Sequence, residues 1–361
     1  MTTAIVLLVL FLAVLLVYVF SSGPRLPVQT DGIIEEVMGR DLPELVSGTT
    51  GLVSSYGLKI WYESILPPGP PKGTALLIAA MGGHALEWTP TFVQQLLVAG
   101  YHVVRYDQRG TGMSDWVEDW SFRKPYSLAE MAGDVIALLD ALNIQEAHLL
   151  GLSMGGMIAQ EVAIQQPGRV ASLTLLMTSG FIGDPNLPSA TSRFFLTSIV
   201  KGLPLLKYRM LGGEKKLIKE RIAKHISVVG YGGLDIRETA EFVLYDLRKR
   251  RGINVRAILQ HQAAVWTSGS RYEKLESLDI PALVIHGRED QLIPFEHGRK
   301  LVQVIPNAKG LWLDGVGHIF PVADMSSLME TILTHLNEHS THGAFPAAKI
   351  PFEESDKNAA A

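Results

Sequence analysis

The sequence predicts an α/β protein with a mostly parallel, doubly wound sheet, an inserted helical cap and a preceding N-terminal membrane helix. Strand and helix patterns alternate over residues 51–180 and again over 276–338, as is typical of a parallel sheet covered by helices on both faces. Residues 181–275, between these two parts, show helical patterns instead. Residues 4–20 are apolar without a charge, glycine or proline.

Composition excludes several classes of protein. The 361 residues carry a net charge of −4, which argues against nucleic acid as the main partner. The chain has no cysteine, so disulfides, thiolate metal sites and a cysteine nucleophile are excluded.

The apolar run near the N-terminus favours a single-pass membrane anchor over residues 1–22, in an orientation that the flanking charges do not set. Its 17 residues are at the short limit for a spanning helix, which needs about 20. No Lys or Arg precedes the run, and it exceeds the apolar region of a typical signal peptide. Secretion after signal cleavage is the alternative. Residues 23–50 read as a polar linker.

Three polar or glycine-rich segments follow predicted strands in the first half of the core. Ala75–Ala80, an unbroken apolar strand, ends in Met81-Gly82-Gly83, and Tyr101–Tyr106 ends at Asp107. A third strand ends at Ser153. Since ligands bind beyond the carboxyl ends of parallel strands, we expect these segments to share one site.

The segment around Ser153 has the pattern Gly-x-Ser-x-Gly between a strand and a helix, Met157–Gln166. Glycine at positions 151 and 155 allows the close backbone approach that a sharp strand-to-helix turn requires. Such a turn lifts the serine hydroxyl above the sheet. We therefore predict that Ser153 is a nucleophile.

The predicted cap contains helical stretches and a cluster of cations. The helices are expected at Ser192–Val200, Glu214–Ser227, Arg237–Arg248 and Val255–Val265. The cations between Lys201 and Lys224 indicate a solvated helix face, and contact with an anionic membrane is the alternative.

A serine nucleophile needs a base and a group that orients the base. His318 follows the last predicted strand, Gly310–Leu313, and Asp290 follows the strand Pro281–Gly287. We predict His318 as the base and Asp290 as its partner. The rival acids are Asp184, Glu289 and Asp314.

Two backbone amides are expected to bind the oxyanion. One is the N–H of Met154, directly after the nucleophile, and the other is the N–H of Gly83, with Gly82 as the alternative. Residues 339–361 are expected to form a mobile tail.

Taken together, these motifs resemble the α/β-hydrolase superfamily over residues 50–338. The resemblance rests on the segments at 81–83, 106–114, 151–156, 286–290 and 315–318, and on the chain order Ser, Asp, His. Capped esterases and methylesterases look most similar, and the anchor resembles that of membrane-bound monoacylglycerol lipases. Two features depart from the pattern: Met81 replaces the usual histidine of the oxyanion loop, and the cap has no clear lipase lid.

The resemblance implies a serine hydrolase that cleaves a small-molecule or lipid ester through an acyl-enzyme. Hydrolysis of a carbon–carbon bond with the same triad is an alternative, as is a non-catalytic ligand-binding or scaffold protein on the same fold. No cofactor and no metal are expected, because Gly110-Thr-Gly112 lacks the third glycine of a nucleotide-binding loop and the histidines lack metal-ligand spacing. The oligomeric state is not predicted.

Overall fold

The computed structural model of the chain describes residues 2–229, 234–318 and 325–340. Its described residues contain an eight-stranded sheet with the order β1-β2-β4-β3-β5-β6-β7-β8. The strands are β1 (Thr49–Ser55), β2 (Leu58–Ile65), β3 (Thr74–Ile78), β4 (His102–Tyr106), β5 (Ala147–Leu152), β6 (Val170–Leu176), β7 (Ala282–Gly287) and β8 (Ala308–Leu313).

Strand β2 pairs with both β1 and β4 in antiparallel fashion, and all pairs among β3 to β8 are parallel. The central strand β3 is buried along its whole length, because helices cover both of its faces. The predicted mostly parallel sheet is confirmed. The carboxyl ends of β3 to β8 consequently lie along one edge.

Thirteen helices are described. They are α1 (Thr2–Ser21), α2 (Thr30–Met38), α3 (Pro90–Val98), α4 (Leu128–Ala141), α5 (Met154–Gln165), α6 (Ser192–Gly202), α7 (Leu206–Leu211), α8 (Glu214–Val229), α9 (Ile236–Lys249), α10 (Val255–Thr267), α11 (Tyr272–Leu275), α12 (Phe295–Val304) and α13 (Met325–Glu338).

Helices α4, α5 and α12 contribute to the hydrophobic core on one face of the sheet, and α3 and α13 to the core on the other. This arrangement confirms the doubly wound prediction. A capping box begins α4: the Ser127 hydroxyl accepts the Glu130 N–H, and the Glu130 carboxylate accepts the Ser127 N–H. Local sequence therefore determines where α4 begins.

Helices α6 to α10 leave the sheet after β6 and return before β7, in the segment predicted as the cap. Helices α8 and α9 pack through Ile218, Ile222 and Leu244, all of which are fully buried. The described helices of this segment therefore have a hydrophobic cluster of their own, apart from the two cores on the sheet.

Helix α2 packs on this cluster, although the sequence analysis assigned no element to its residues. Ile34 and Val37 are buried against α8 and α9. Lys215 and Lys219 of α8 form ion pairs with Asp31 on α2. Several cations of the basic cap segment thus face acidic side chains of α2.

The prediction of a membrane anchor at residues 1–22 is wrong. Within the part of the chain that the structure describes, none of the helices combines the length and the apolar character that crossing a bilayer requires. The last turns of α1 also contact the cap segment, where Val19 is buried and the Tyr18 hydroxyl donates to the Val200 carbonyl. The predicted tail lies outside the described residues from position 341 onward.

Candidate active site at the carboxyl edge of the sheet

Ser153 lies at a sharp turn between β5 and α5. Its backbone has φ 53° and ψ −115°, a left-handed conformation that L-residues rarely adopt. A Cβ on Gly151 would lie 2.4 Å from the Gly155 carbonyl oxygen, and one on Gly155 would lie 2.2 Å from that of Ile78. Both glycines are therefore needed for the close approach of β5, α5 and β3.

Two hydrogen bonds connect this turn to β6 and to the residues that follow β6. The Ser153 N–H donates to the Leu176 carbonyl over 2.8 Å, and the Thr178 hydroxyl donates to the Ser153 carbonyl over 2.6 Å. Because its backbone groups are paired in this way, the conformation persists despite its strain. The side chain of Ser153 points to His318.

His318 follows β8 and lies between Ser153 and Asp290. Its Nδ1 is 2.7 Å from Asp290 Oδ2, and its Nε2 is 3.0 Å from Ser153 Oγ. A carboxylate only accepts, so Nδ1 carries the ring hydrogen and Nε2 is left to accept from the serine hydroxyl. The structure thus brings together the three residues that the sequence analysis singled out.

Asp290 is buried and accepts several hydrogen bonds. Its Oδ1 accepts from the N–H groups of Leu292 and Ile293, each over 2.9 Å. Burial acts to raise the pKa of Asp290, but hydrogen bonds from His286 and His318 outweigh burial and hold the pKa at about 2. The carboxylate is therefore charged at neutral pH, the state in which it is able to stabilise a positive charge on a neighbouring imidazole.

Two of the three rival acids pair with cations instead of with His318. Asp184 pairs with Lys300 over 3.0 Å, and Asp314 pairs with Arg288 over 2.7 Å. Glu289 is exposed.

The two proposed oxyanion donors differ in their hydrogen bonding. Met154 is the first residue of α5, so its N–H has no acceptor within the helix, and the positive end of the helix dipole lies at this point. The N–H of Gly83 donates to the Ala80 carbonyl over 3.0 Å. The alternative donor, the N–H of Gly82, donates to Nδ1 of His261 over 3.0 Å.

Asp107, at the end of β4, connects the neighbouring loops. Its carboxylate accepts the N–H of Ala85 over 3.0 Å and that of Met113 over 2.7 Å, and it pairs with Arg250 of the cap segment. The sequence analysis placed Asp107 at this edge but assigned it no role. In the structure it holds the segment after β3 against the segment after β4.

Neither His286 nor His261 was assigned a role from the sequence. His286 belongs to β7, and its Nε2 lies 3.3 Å from Asp290 Oδ2 and 2.8 Å from the Ile293 carbonyl. The available signal was a histidine within an otherwise apolar strand. For His261 the signal was its place on the same face of α10 as Ala257 and Ala264, which are both buried. Among the described residues, no group of three or more side chains has the arrangement of a metal site.

The chain is similar to known proteins over most of its length. The sequence model of a family described as the alpha/beta hydrolase fold matches residues 75–322. A rhodomycin D methylesterase of Streptomyces sp. (strain C5) is 28% identical over 309 residues, which are 79% of this chain and 97% of that protein. A 2-hydroxy-6-oxononadienedioate/2-hydroxy-6-oxononatrienedioate hydrolase of Paraburkholderia phymatum is 29% identical over 253 residues, 69% of this chain and 82% of that protein.

Among solved structures, an esterase from Rhodococcus sp. ECU1013 superposes with a TM-score of 0.60 at 25% identity, covering 80% of this chain and 99% of that one. A hydrolase from Pseudomonas aeruginosa superposes with a TM-score of 0.59 at 23% identity and similar coverage. The second likeness concerns the fold alone.

Proposed function

The chain belongs to the α/β-hydrolase fold family, and on that premise we propose that it is a serine hydrolase that cleaves a carboxylic ester. The observation that carries this proposal is the position of His318 between Ser153 Oγ, at 3.0 Å, and Asp290 Oδ2, at 2.7 Å. This geometry matches what a serine nucleophile needs from its base and from the group that orients the base.

In the first half of the proposed reaction, Ser153 Oγ attacks the ester carbonyl carbon while its proton passes to His318 Nε2. The imidazolium that forms is stabilised by the Asp290 carboxylate. His318 then donates this proton to the alkoxy oxygen, the bond between carbonyl carbon and alkoxy oxygen breaks, and the alcohol leaves. The acyl group remains bonded to Ser153.

In the second half, His318 takes a proton from water, and the resulting hydroxide attacks the acyl carbon. The bond to Ser153 Oγ breaks, His318 returns the proton to the serine, and the carboxylic acid leaves. In both halves the carbonyl oxygen becomes an anion. We assign its stabilisation to the N–H groups of Met154 and Gly83, the latter after it turns from the Ala80 carbonyl.

The ester class is supported by the methylesterase relative, because the similarity to this chain extends over nearly the full length of that protein. The nucleophile type also supports it, since a serine activated by histidine is suited to acyl transfer.

The experiment is hydrolysis of a p-nitrophenyl ester series, from acetate to laurate, by the full chain and by Ser153→Ala. We expect wild-type activity that the variant lacks. An optimum at short chains would indicate small esters and an optimum at long chains lipid esters. Ser172→Ala is a matched control, because Ser172 is another buried serine hydrogen-bonded to a histidine, with its Oγ 2.8 Å from His148 Nδ1. It should retain activity within about twofold.

No hydrolysis of any ester by folded protein would contradict the proposal. It would favour carbon–carbon bond hydrolysis or a ligand-binding role. Activity that survives in Ser153→Ala would contradict the assigned nucleophile.

A further inference from the structure

Two cap helices contact the oxyanion loop, which we define as residues 81–84. The N–H of Gly82 donates to His261 Nδ1 on α10 over 3.0 Å. The ring of His84 stacks on Phe242 of α9, with 5.6 Å between ring centroids and an interplanar angle of 1°. Helices α9 and α10 therefore hold the loop at His84 and Gly82, although these helices lie more than 150 residues further along the chain.

The environment of His261 determines which ring nitrogen accepts. Its Nε2 lies 2.9 Å from the Arg109 carbonyl oxygen, and a carbonyl only accepts. Nε2 must therefore carry the hydrogen, which leaves Nδ1 free to accept from Gly82. Burial lowers the pKa of His261 to about 4, so the ring is neutral at physiological pH and keeps both hydrogen bonds.

The contact of α10 with Gly82 is also steric. Gly82 has φ +70°, and a Cβ there would lie 2.6 Å from Ile258 Cγ1, one turn before His261 on the same helix. Helix α10 is itself fixed to the loop after β4, where the Asn254 side chain donates to the Gly110 carbonyl over 2.9 Å. His261 thus connects the loops after β3 and β4.

The side chain that precedes Gly82 gives the loop little polar support. The side chain of Met81 is a thioether, which donates no hydrogen bond and accepts only weakly. The Gly82 amide is held instead from the cap, and the next amide along the chain is Gly83, the donor assigned to the oxyanion.

We propose that His261 is a positioning residue for the hydrolysis: by holding the Gly82 amide, it sets the place of the Gly83 amide relative to Ser153. This proposal rests on the proposed function. It makes the cap part of the catalytic arrangement, because α10 supplies the acceptor that fixes the Gly82 amide while the Gly83 amide turns from the Ala80 carbonyl to the oxyanion. An oxyanion donor acts through its position, so a small displacement of the loop lowers kcat more than it changes KM.

Two substitutions of His261 distinguish a role in positioning the Gly82 amide from a general role in stabilising the fold. In His261→Asn, the amide oxygen replaces Nδ1 and can still accept from Gly82. In His261→Gln, the amide reaches one bond further, so its NH₂ can still donate to the Arg109 carbonyl while Gly82 loses its acceptor. We expect kcat for a p-nitrophenyl ester to fall about tenfold in His261→Gln with KM within about twofold, and to stay within about threefold of wild type in His261→Asn.

His297→Gln is the matched control. His297 is also buried, with Nδ1 2.8 Å from Ser179 Oγ and Nε2 2.9 Å from the Pro188 carbonyl, but it does not contact the oxyanion loop. Its substitution should leave kcat within about twofold. Equal losses of kcat in His261→Asn and His261→Gln, or no loss in His261→Gln, would overturn the proposal.

Amide hydrogen exchange of Gly82 gives a readout that does not depend on activity. We expect protection in wild type and His261→Asn, and exchange at least tenfold faster in His261→Gln. If the wild-type protein hydrolyses no ester, the proposed function fails, and this comparison alone decides whether His261 holds the loop. Unchanged exchange in His261→Gln would then overturn the proposal.

Discussion

Nε2 of His318 lies 3.0 Å from Oγ of Ser153, although the two residues are 165 positions apart in the chain. The contact arises because β5, β6, β7 and β8 are neighbours in the sheet and run parallel, so that their carboxyl ends lie along one edge. Ser153 follows β5, Asp290 follows β7 and His318 follows β8. The geometry of the site therefore depends on the strand order of the whole second half of the sheet.

The role of Asp290 can be tested by replacing it with asparagine. Asp290→Asn preserves an oxygen for the Leu292 and Ile293 amides but removes the charge that stabilises the His318 imidazolium. We expect kcat for ester hydrolysis to fall roughly 10³- to 10⁴-fold.

Asp184→Asn serves as the comparison, because Asp184 is the rival acid and pairs with Lys300. Its kcat should stay within about twofold of wild type. A larger loss in Asp184→Asn than in Asp290→Asn would assign the acid role to Asp184.

The close packing at the turn that carries Ser153 predicts that alanine destabilises the protein at Gly155 but not at Gly168. In Gly155→Ala, the new Cβ would meet the Ile78 carbonyl oxygen at 2.2 Å, a backbone atom that cannot rotate away. We expect unfolding free energy to fall by about 3 kcal/mol, together with most of the activity. Thermal unfolding and ester hydrolysis measure the two effects.

Gly168→Ala provides the control, since nothing lies within 4 Å of a Cβ at that position. Its stability should remain within about 0.5 kcal/mol of wild type. If Gly155→Ala changed the free energy of unfolding as little as Gly168→Ala, α5 would not approach β3 as closely as described.

The packing of α2 on the cap segment predicts that a residue near the N-terminus stabilises a distant part of the chain. Ile34 is fully buried among α8 and α9, so Ile34→Ala should lower the free energy of unfolding by about 3 kcal/mol in urea denaturation. Loss of this contact should also make the cap helices more sensitive to limited proteolysis.

Glu35→Ala tests the neighbouring position, where an exposed carboxylate pairs with Lys215 over 2.6 Å. An exposed ion pair contributes little, and we expect a change within about 1 kcal/mol. Similar stability of Ile34→Ala and wild type would mean that α2 does not pack on the cap in solution.

Buried histidines predict how stability depends on pH. Burial lowers the pKa values of His148, His261 and His335 from 6.5 to about 4. Between pH 6.5 and 4 the unfolded chain binds protons that the folded chain does not, so the free energy of unfolding falls as pH falls through this window. Each histidine contributes a slope of up to about 1.4 kcal/mol per pH unit.

Urea denaturation at a series of pH values from 7 to 4.5 measures this slope. His148→Gln should reduce it by about 1 kcal/mol per pH unit, since one titrating group is removed. An unchanged slope would show that the pKa of His148 is the same in the folded and the unfolded chain.

The elements that the sequence predicted well are those with local causes. The glycines at 151 and 155 and the apolar run of β3 each act on neighbouring residues, and the structure contains both features. Asp290 and His318 could be placed at this edge of the sheet because each lies within five residues of the end of a strand.

The parts that were missed depend on partners distant in sequence. Helix α2 is stabilised by α8 and α9, some 180 residues further on, and the acceptor for Gly82 comes from α10. The contact of α1 with the cap segment, where the Tyr18 hydroxyl donates to the Val200 carbonyl, likewise could not be derived from the apolar composition of residues 4–20.

The central claim is that Ser153 is the nucleophile and that His318 activates it. Reaction of the full chain with a fluorophosphonate, followed by intact-mass and peptide mass spectrometry, tests this most directly. We expect one adduct per chain, located on Ser153, absent from Ser153→Ala and formed at least 100-fold more slowly in His318→Ala. An adduct on another residue, or none on folded wild-type protein, would contradict the account.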